Sequence, residues 1–234
     1  MRAGFEPFVE YLAACTGEQI EFFPVADYAA VVMGMKYDRV QIGRFGCRGY
    51  IEAAEKAGAI AIARGVREVG GTASSYHSLI IARRDRHITD LNGVSFVFVD
   101  PLSTSGYLAP ALYIQEEGIE LGETMYAGGH PQSVMAVQSG TVDAGACSET
   151  FYNTALAEGQ ITEEEIEIIW RSDPMPFGPI SVSAGVKPAV REKLQRCLVA
   201  APQDLVEGLH INLVAFETAT DSDYDGIRQM EKLR

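Results

Sequence analysis

The chain has 234 residues, of which 47% are hydrophobic and 22% charged, as in an ordinary globular protein of one large domain or two lobes. Its net charge of −13 argues against nucleic acid and an anionic membrane surface as partners, because both would require a basic face. No apolar run reaches the ~18 residues that a membrane-spanning helix needs, so we expect no direct membrane insertion.

The first half of the chain alternates predicted helices with short apolar strands. Apolar side chains at helical spacing predict a first helix that stops at Gly17, and Asp27 is a predicted N-cap. Further helices are predicted after Asp27 and at 48–58. Strands are predicted at 19–27, 39–46, 59–66 and 74–85.

The second half continues the alternation. Strands are predicted at 94–100, 124–127, 141–148, 165–173 and 180–186. Helices are predicted at 104–118, 131–140, 149–159 and 187–201. This order predicts an α/β fold in which mostly parallel sheets are flanked by helices on both faces.

Two segments repeat one pattern of capped helix, tight turn and strand. They are 27–46 and 130–148, about a hundred residues apart, and they indicate two similar lobes. The extended segments 79–85 and 180–186 are the predicted crossings between the lobes. Two crossings would form a hinge and place a cleft between the lobes.

The run Ser103, Thr104, Ser105 and Gly106 follows a buried strand and opens a predicted helix. The first amides of a helix have no helical partner, hydroxyls add donors, and glycine allows close approach, so the run could hold an oxyanion. Ordinary helix capping is the alternative interpretation. Pro110 lies too deep for the first turn if the helix begins at Ser105, so the helix starts later or is kinked.

Four other side chains are candidates for the same site. His130 precedes a second predicted helix and could donate to an oxyanion, or it could be a simple loop histidine. Tyr28 and Tyr76 could close the site from the other lobe, although core packing is an alternative for each. Glu149 could compensate a cationic part of a ligand, or it could cap its own helix.

An enzyme is the main competing interpretation. Ser105, His130 and Asp143 could form a hydrolytic triad, but no G-x-S-x-G motif accompanies them. The phosphate-binding loop G-x-x-x-x-G-K-[ST] and the dinucleotide motif G-x-G-x-x-G are also absent from the sequence. We therefore expect a binding protein without catalytic residues, metal or cofactor.

The cysteines Cys15, Cys47, Cys147 and Cys197 are widely spaced and form no C-x-x-C motif. This spacing disfavours a zinc or redox motif. Buried free thiols are the simplest interpretation, and the even count also permits disulfides whose pairing the sequence does not reveal.

Taken together and in order, several segments closely resemble the phosphate, phosphite and phosphonate-binding proteins of ABC importers. The segments are "FEPFVEYLAACTG", "DYAA", "SYHSLIIARRD", "FVFVDPLSTSGYLAP", "GGH", "AVQSGTVDAGA", "SDPMPFGPISV" and "DSDYDGIR". The resemblance covers nearly the whole chain, and "VDPLSTSGYLAP" is its most specific part.

This resemblance implies a two-lobed type II periplasmic-binding-protein fold with a double-crossing hinge. Lobe 1 would comprise 1–81 and 183–234, and lobe 2 would comprise 82–182. A small phosphorus oxyanion would bind between the lobes and be delivered to an ABC permease in the membrane. We expect a monomer that is periplasmic, or anchored outside the cytoplasm.

By motif position, the resemblance assigns ligand-binding roles to particular residues. The Ser-Thr-Ser run and its glycine would grip the oxyanion, with His130, Tyr76 and Tyr28 completing the site. Glu149 would be the acidic residue that meets the ammonium group of an aminophosphonate.

The sequence departs from the family pattern at several points. Cys47 stands where proline is usual, and "PFGPI" lacks a carboxylate found in some aminoalkylphosphonate binders, which favours phosphite, phosphate or methylphosphonate. Cys47 and Cys147, in predicted cleft loops, leave a thiophilic oxyanion such as arsenite open, and an oxyanion-sensing domain of a signalling system is the functional alternative. An export signal and a first strand are expected before "FEPFVEYL", so we expect the chain to be truncated there, leaving a slot in the first sheet.

Overall fold

The computed structural model describes residues 2–25, 27–67, 75–209 and 213–234. The chain divides into two compact units. Unit 1 comprises Met1–Ser75 and Pro176–Asp225, and unit 2 comprises Tyr76–Met175 and Gly226–Arg234. The chain therefore passes from one unit to the other after residues 75, 175 and 225.

The helices and strands alternate along the chain. The α-helices are α1 (Arg2–Thr16), α2 (Tyr28–Lys36), α3 (Cys47–Ala57), α4 (Ala109–Glu116), α5 (His130–Gln138), α6 (Glu149–Ala157), α7 (Pro188–Val199), α8 (Gln203–Glu207) and α9 (Asp225–Leu233). The strands are β1 (Ile42–Arg44), β2 (Ile60–Val66), β3 (Ser75–Tyr76), β4 (Ser78–Arg83), β5 (Phe96–Phe98), β6 (Thr124–Tyr126), β7 (Ala144–Ser148), β8 (Ile166–Arg171), β9 (Met175–Pro176), β10 (Pro179–Val182) and β11 (Ala215–Thr218). Tighter 3₁₀ turns occupy Arg84–Arg86 and Asp221–Tyr224, and a π-helical turn occupies Thr104–Leu108.

The observed unit boundaries differ from the predicted lobe boundaries. The predicted crossings at 79–85 and 180–186 lie within or beside β4 and β10, which pair inside unit 2 and unit 1 respectively. The prediction of these crossings is wrong because an extended, apolar connection and a buried strand have the same composition. The crossings lie several residues earlier, at β3 and β9.

The end of the chain was predicted in the first lobe, but the structure places residues 226–234 in unit 2. The Arg234 guanidinium lies 4.1 Å from the centre of the Tyr107 ring. Gln115 Nε2 donates to the backbone oxygen of Leu233 at 3.1 Å. Both contacts lie within unit 2. The chain therefore crosses between the units a third time, after residue 225, whereas the sequence predicts two crossings.

The sheet of unit 1 has the order β1-β10-β2-β11, and its described ladders are all antiparallel. The prediction of a mostly parallel sheet is wrong for this unit. The reason is the insertion of β10 between β1 and β2, since β10 runs opposite to both neighbours. Strand order of this kind depends on long-range pairing, which periodicity does not reveal.

The segment 19–25, predicted as part of a strand, has no strand structure. Its side chains Phe23 and Val25 are 61% and 44% exposed. A strand needs a neighbour for its backbone N–H and C=O groups, and the described pairings provide none here. Apolar composition alone therefore predicted a strand wrongly. The predicted N-cap is confirmed, because Asp27 Oδ1 accepts from the Ala30 amide at 2.7 Å.

The predicted alternatives for the cysteines are both realised. Cys15 and Cys197 form a disulfide that joins α1 to α7 in unit 1, across 182 residues of sequence. Cys47 and Cys147 are buried and form no disulfide in the described part of the chain, so they remain thiols. The Tyr11 hydroxyl donates to the backbone oxygen of Cys197 at 2.9 Å, which reinforces the same helix contact.

The sheet of unit 2 has the order β6-β5-β7-β4-β8. Strands β6, β5 and β7 are parallel, whereas β4 runs antiparallel to β7 and β8. Neighbouring side chains of β4 enter different core clusters, Leu79 and Ile81 on one face and Ile80 and Ala82 on the other. The central strands β4, β5 and β7 are therefore buried on both faces, which explains their nearly continuous run of apolar and small residues. Among the described residues, no helix combines the length and the apolar character needed to cross a membrane.

Candidate oxyanion site of unit 2

Three polar segments follow the three parallel strands of unit 2. Strand β5 leads to Ser103 and the π-helical turn, β6 leads to His130 at the start of α5, and β7 leads to Ser148 and α6. Carboxyl ends of parallel strands meet at one edge of a sheet, so three helix beginnings lie along the same edge. Helix beginnings carry partial positive charge and unpaired amides, which favour an anion.

Val99 joins the first two segments. Its backbone N–H donates to the oxygen of Gly106 at 2.9 Å, and its oxygen accepts from the Gly128 amide at 2.7 Å. A Cβ on Gly106 would lie 2.3 Å from Cβ and Cγ2 of Val99, so only glycine allows this approach. The sequence predicted the need for glycine here in general terms, and the partner is Val99.

The serine–threonine run is buried, with Ser103, Thr104 and Ser105 each at most 2% exposed. The Ser103 hydroxyl accepts from the Gly106 amide at 3.0 Å, so the capping interpretation is correct for this oxygen. Capping uses a lone pair of the hydroxyl and leaves its proton for another acceptor. Capping and oxyanion binding are therefore compatible at Ser103.

The position of Pro110 is explained by the π-helical turn. The Leu108 amide donates to the oxygen of Ser103, five residues earlier, and α4 begins only at Ala109 with Pro110 in its first turn. In this register the Pro110 nitrogen would face the oxygen of Ser105, but proline has no N–H. The Ser78 hydroxyl donates to that oxygen instead, at 2.6 Å. Ser78 thus ties β4 to the serine–threonine run.

His130 is buried, and a hydrogen bond from a backbone amide determines which ring nitrogen carries the proton. Its Nδ1 accepts from the Ser148 amide at 3.1 Å, so the ring proton is on Nε2. Burial lowers the pKa of His130 from 6.5 to about 4, and the ring is neutral at pH 7. The Phe151 ring stacks on the imidazole with centroids 5.0 Å apart and an angle of 11°. His130 therefore offers a fixed, uncharged N–H donor.

Ser148 completes the connection between the predicted residues. It lies opposite Ser78 in the antiparallel ladder of β4 and β7, and its hydroxyl accepts from the Phe151 amide at 3.4 Å. A continuous set of contacts thus links Ser105, Ser78, Ser148 and His130. We call the residues Ser103–Gly106 and His130, with Ser148, the donor cluster.

The hydrolytic triad is not formed. A triad histidine donates its Nδ1–H to a carboxylate, whereas Nδ1 of His130 is an acceptor. Asp143 precedes β7 and accepts from the Ser95 hydroxyl at 2.6 Å, at the opposite end of the strand from Ser148. The described residues also hold no group of three or more His, Cys, Asp or Glu side chains suited to a metal ion.

Residues 1–224 match the family of ABC transporter phosphonate, periplasmic substrate-binding proteins. The chain belongs to this family. It is 28% identical to the phosphate-import protein PhnD of Mycolicibacterium smegmatis, over 98% of this chain and 80% of that protein. The binding-protein component of an ABC phosphonate transporter from Pseudomonas aeruginosa is 25% identical and superposes with a TM-score of 0.88, covering 98% of this chain and 80% of the other.

The family's type II periplasmic-binding-protein fold is also seen in PhnD1 of Prochlorococcus marinus, solved in complex with methylphosphonate. That protein is 18% identical and superposes with a TM-score of 0.88 over 99% of this chain and 92% of its own. The predicted family and fold are thus confirmed. Members of this phosphonate-binding family are the substrate-binding components of ABC transporters, as the sequence predicted.

The environment of Glu149 does not match the predicted role of binding the ammonium group of a ligand. Its side chain is only 17% exposed, and Oε1 accepts from Nη2 of Arg171 at the end of β8. The carboxylate is therefore neutralised by a neighbouring cation of the same unit. The sequence predicts Glu149 as a ligand residue or a helix cap, and its partner Arg171 lies on a different element, 22 residues away.

The two tyrosines lie in different units. Tyr76 is buried in β3 at the start of unit 2, two residues before Ser78. Tyr28 is the half-buried first residue of α2 in unit 1. Their roles toward a ligand stay predictions.

The cysteines do not support a thiophilic ligand. Cys147 lies on β7 within the apolar core of unit 2, and burial raises the pKa of its thiol well above the usual value. Cys47 is fully buried in unit 1, where Sγ contacts the oxygen of Pro176 at 3.1 Å. A thiolate is the form that binds arsenite, and the burial of Cys147 opposes it.

Several residues of the site were not found from the sequence. Ser78, Ser148 and Phe151 act through contacts that join distant segments. Pro110 was a usable signal for one of them, since a proline deep in a helix leaves a carbonyl oxygen that another donor must satisfy.

Proposed function

We propose that the protein captures a small phosphorus oxyanion, such as methylphosphonate, phosphite or phosphate, on the donor cluster of unit 2 and delivers it to an ABC permease. The observation that supports this most strongly is the serine–threonine run at a helix beginning, joined through Ser78 and Ser148 to the fixed N–H of His130. Buried hydroxyls, amides and a neutral imidazole can surround a small tetrahedral anion with donors. Tyr28 and Tyr76 are proposed as further ligands.

The ligand class follows from the family and from the charges of unit 2. The related proteins include a phosphate-import protein, a phosphite-binding protein and a protein solved in complex with methylphosphonate. Arg171 already pairs with Glu149, so the negative charge that would attract an ammonium group is compensated. We therefore favour ligands without an amino group.

An extracytoplasmic location is proposed as well. The family is periplasmic, and the disulfide between Cys15 and Cys197 would persist in an oxidising compartment. A disulfide of this kind would be rare in the cytosol.

Calorimetry with methylphosphonate, phosphite and phosphate tests the proposed site. The variant Ser103→Ala with Thr104→Val removes two hydroxyls with little change of shape. We expect an affinity loss of roughly 100-fold or more, because each bond to a charged ligand contributes about 1.5–3 kcal/mol.

Ser103 is also a helix cap, so a cap outside the site provides the control. Thr220 caps the turn Asp221–Tyr224 in unit 1, and Thr220→Ala should lose stability while keeping wild-type affinity. Unchanged affinity in the double variant would rule out this site.

A further inference from the structure

The ion pair between Arg171 and Glu149 lies beside the donor cluster. Glu149 directly follows Ser148, whose amide donates to Nδ1 of His130. The amide of Glu149 donates to the backbone oxygen of His77 at 3.0 Å. Strand β4 lies between β7 and β8, with Ser78 opposite Ser148 and its neighbour Leu79 opposite Arg171. Both charges therefore belong to the same end of the sheet as the donors.

The donors in this cluster are uncharged, so a nearby formal charge has a large influence on a bound anion. A largely buried carboxylate without a cation would repel an oxyanion and attract an ammonium group. With the guanidinium in contact, the pair is close to neutral and leaves the donors to select the ligand. The identity of residue 171 thus controls the local electrostatic potential.

We propose that Arg171 is a specificity-determining residue, which neutralises Glu149 so that the site takes a simple phosphorus oxyanion and disfavours an aminoalkylphosphonate. The inference rests on the proposed function and concerns the same site. Without Arg171, the carboxylate of Glu149 becomes available to an ammonium group attached to the ligand. A purely structural ion pair, which only ties α6 to β8, would change stability and leave the ligand preference unaltered.

The experiment compares methylphosphonate with aminoethylphosphonate by calorimetry in wild type and in Arg171→Gln. We expect the ratio of the two affinities to shift toward aminoethylphosphonate by about 10-fold or more. Without Arg171, the carboxylate of Glu149 repels the anionic methylphosphonate and attracts the ammonium group of aminoethylphosphonate. Arg171→Lys retains the cation and should keep the wild-type preference.

A matched control is available in the same sheet. Arg84 is 52% exposed, as against 51% for Arg171, and it pairs with Glu167 at 3.5 Å near the other ends of β4 and β8. Arg84→Gln should leave the affinity ratio unchanged. An equal shift in this variant would overturn the proposal, because the effect would then be one of general charge.

A second substitution keeps the proposal testable if Arg171→Gln fails to fold. Glu149→Gln leaves the guanidinium without its carboxylate, so methylphosphonate should bind more tightly and aminoethylphosphonate less tightly. An unchanged ratio in this variant, or in folded Arg171→Gln, would overturn the inference while the proposed function stands. Wild-type protein that bound no phosphorus oxyanion would overturn both.

Discussion

The amide of Ser148 donates to Nδ1 of His130 at 3.1 Å, and this bond assigns the imidazole its tautomer. A backbone amide cannot accept a hydrogen bond, so Nδ1 remains unprotonated and Nε2 carries the proton. A histidine that is an N–H donor without a positive charge suits a site that relies on helix beginnings and hydroxyls.

The buried, neutral state of His130 predicts a pH-dependent stability. The pKa of His130 is about 4 in the folded protein, whereas the ordinary value of 6.5 applies to the unfolded chain. Between pH 6.5 and pH 4 the unfolded chain therefore binds a proton that the folded chain does not bind. The stability that the neutral imidazole contributes is fully present above pH 6.5 and is lost as the pH falls toward 4. At pH 5 the loss amounts to about 2 kcal/mol.

Urea unfolding of wild type and His130→Gln at pH 7 and pH 5 measures this difference. Wild type should lose more of its free energy of unfolding than the variant over that interval. His87→Asn removes an exposed histidine and should retain the wild-type pH dependence. Equal pH dependence in wild type and His130→Gln would contradict the neutral state of His130.

Ser78→Ala should destabilise unit 2 and weaken ligand binding. The Ser78 hydroxyl is fully buried and donates to the oxygen of Ser105, which would be left without this donor. An unsatisfied buried carbonyl costs about 1–3 kcal/mol, measurable by urea unfolding. Ser139→Ala, which removes an exposed hydroxyl bonded to Ala136, should stay within ~0.5 kcal/mol of wild type. Similar values for the two variants would show that Ser78 does not support the run.

Gly106→Ala should be strongly disruptive, because the added methyl group would overlap with Val99 at 2.3 Å. We expect a loss of about 1–3 kcal/mol in the free energy of unfolding, together with reduced oxyanion affinity. Gly226→Ala is the comparison, since a Cβ there meets nothing within 4 Å and the residue lies in α9. That change should stabilise by about 0.5–1 kcal/mol. Thermal unfolding and calorimetry of both variants check this, and a Gly106→Ala protein as stable as wild type would refute the close contact.

Reduction of the disulfide between Cys15 and Cys197 should lower the stability of unit 1. The closed loop is long, so the disulfide restricts the unfolded chain considerably and contributes about 2–4 kcal/mol. Urea unfolding with and without a reducing agent measures this loss. The variant Cys15→Ala with Cys197→Ala should be insensitive to the reducing agent. An equal response in that variant would assign the effect to other groups.

Features that depend on neighbouring residues were predicted correctly. Asp27 caps α2, the serine–threonine run opens a helix after a buried strand, and His130 precedes Pro131 at the start of α5. In each case the hydrogen bonds and backbone angles involved lie within a few residues of one another. The ordered set of such motifs also predicted the family and its fold.

The tertiary structure decided the features that join distant segments. The insertion of β10 between β1 and β2, the disulfide across 182 residues and the bond from Ser78 to Ser105 all depend on how strands and helices pack. The pairing of Glu149 with Arg171 has the same origin, because β4 pairs with both β7 and β8 and so brings together the ends of two strands whose side chains are 22 residues apart. Local chemistry thus determined which groups could bind an anion, and long-range packing determined which of them are tied together and which charge is neutralised.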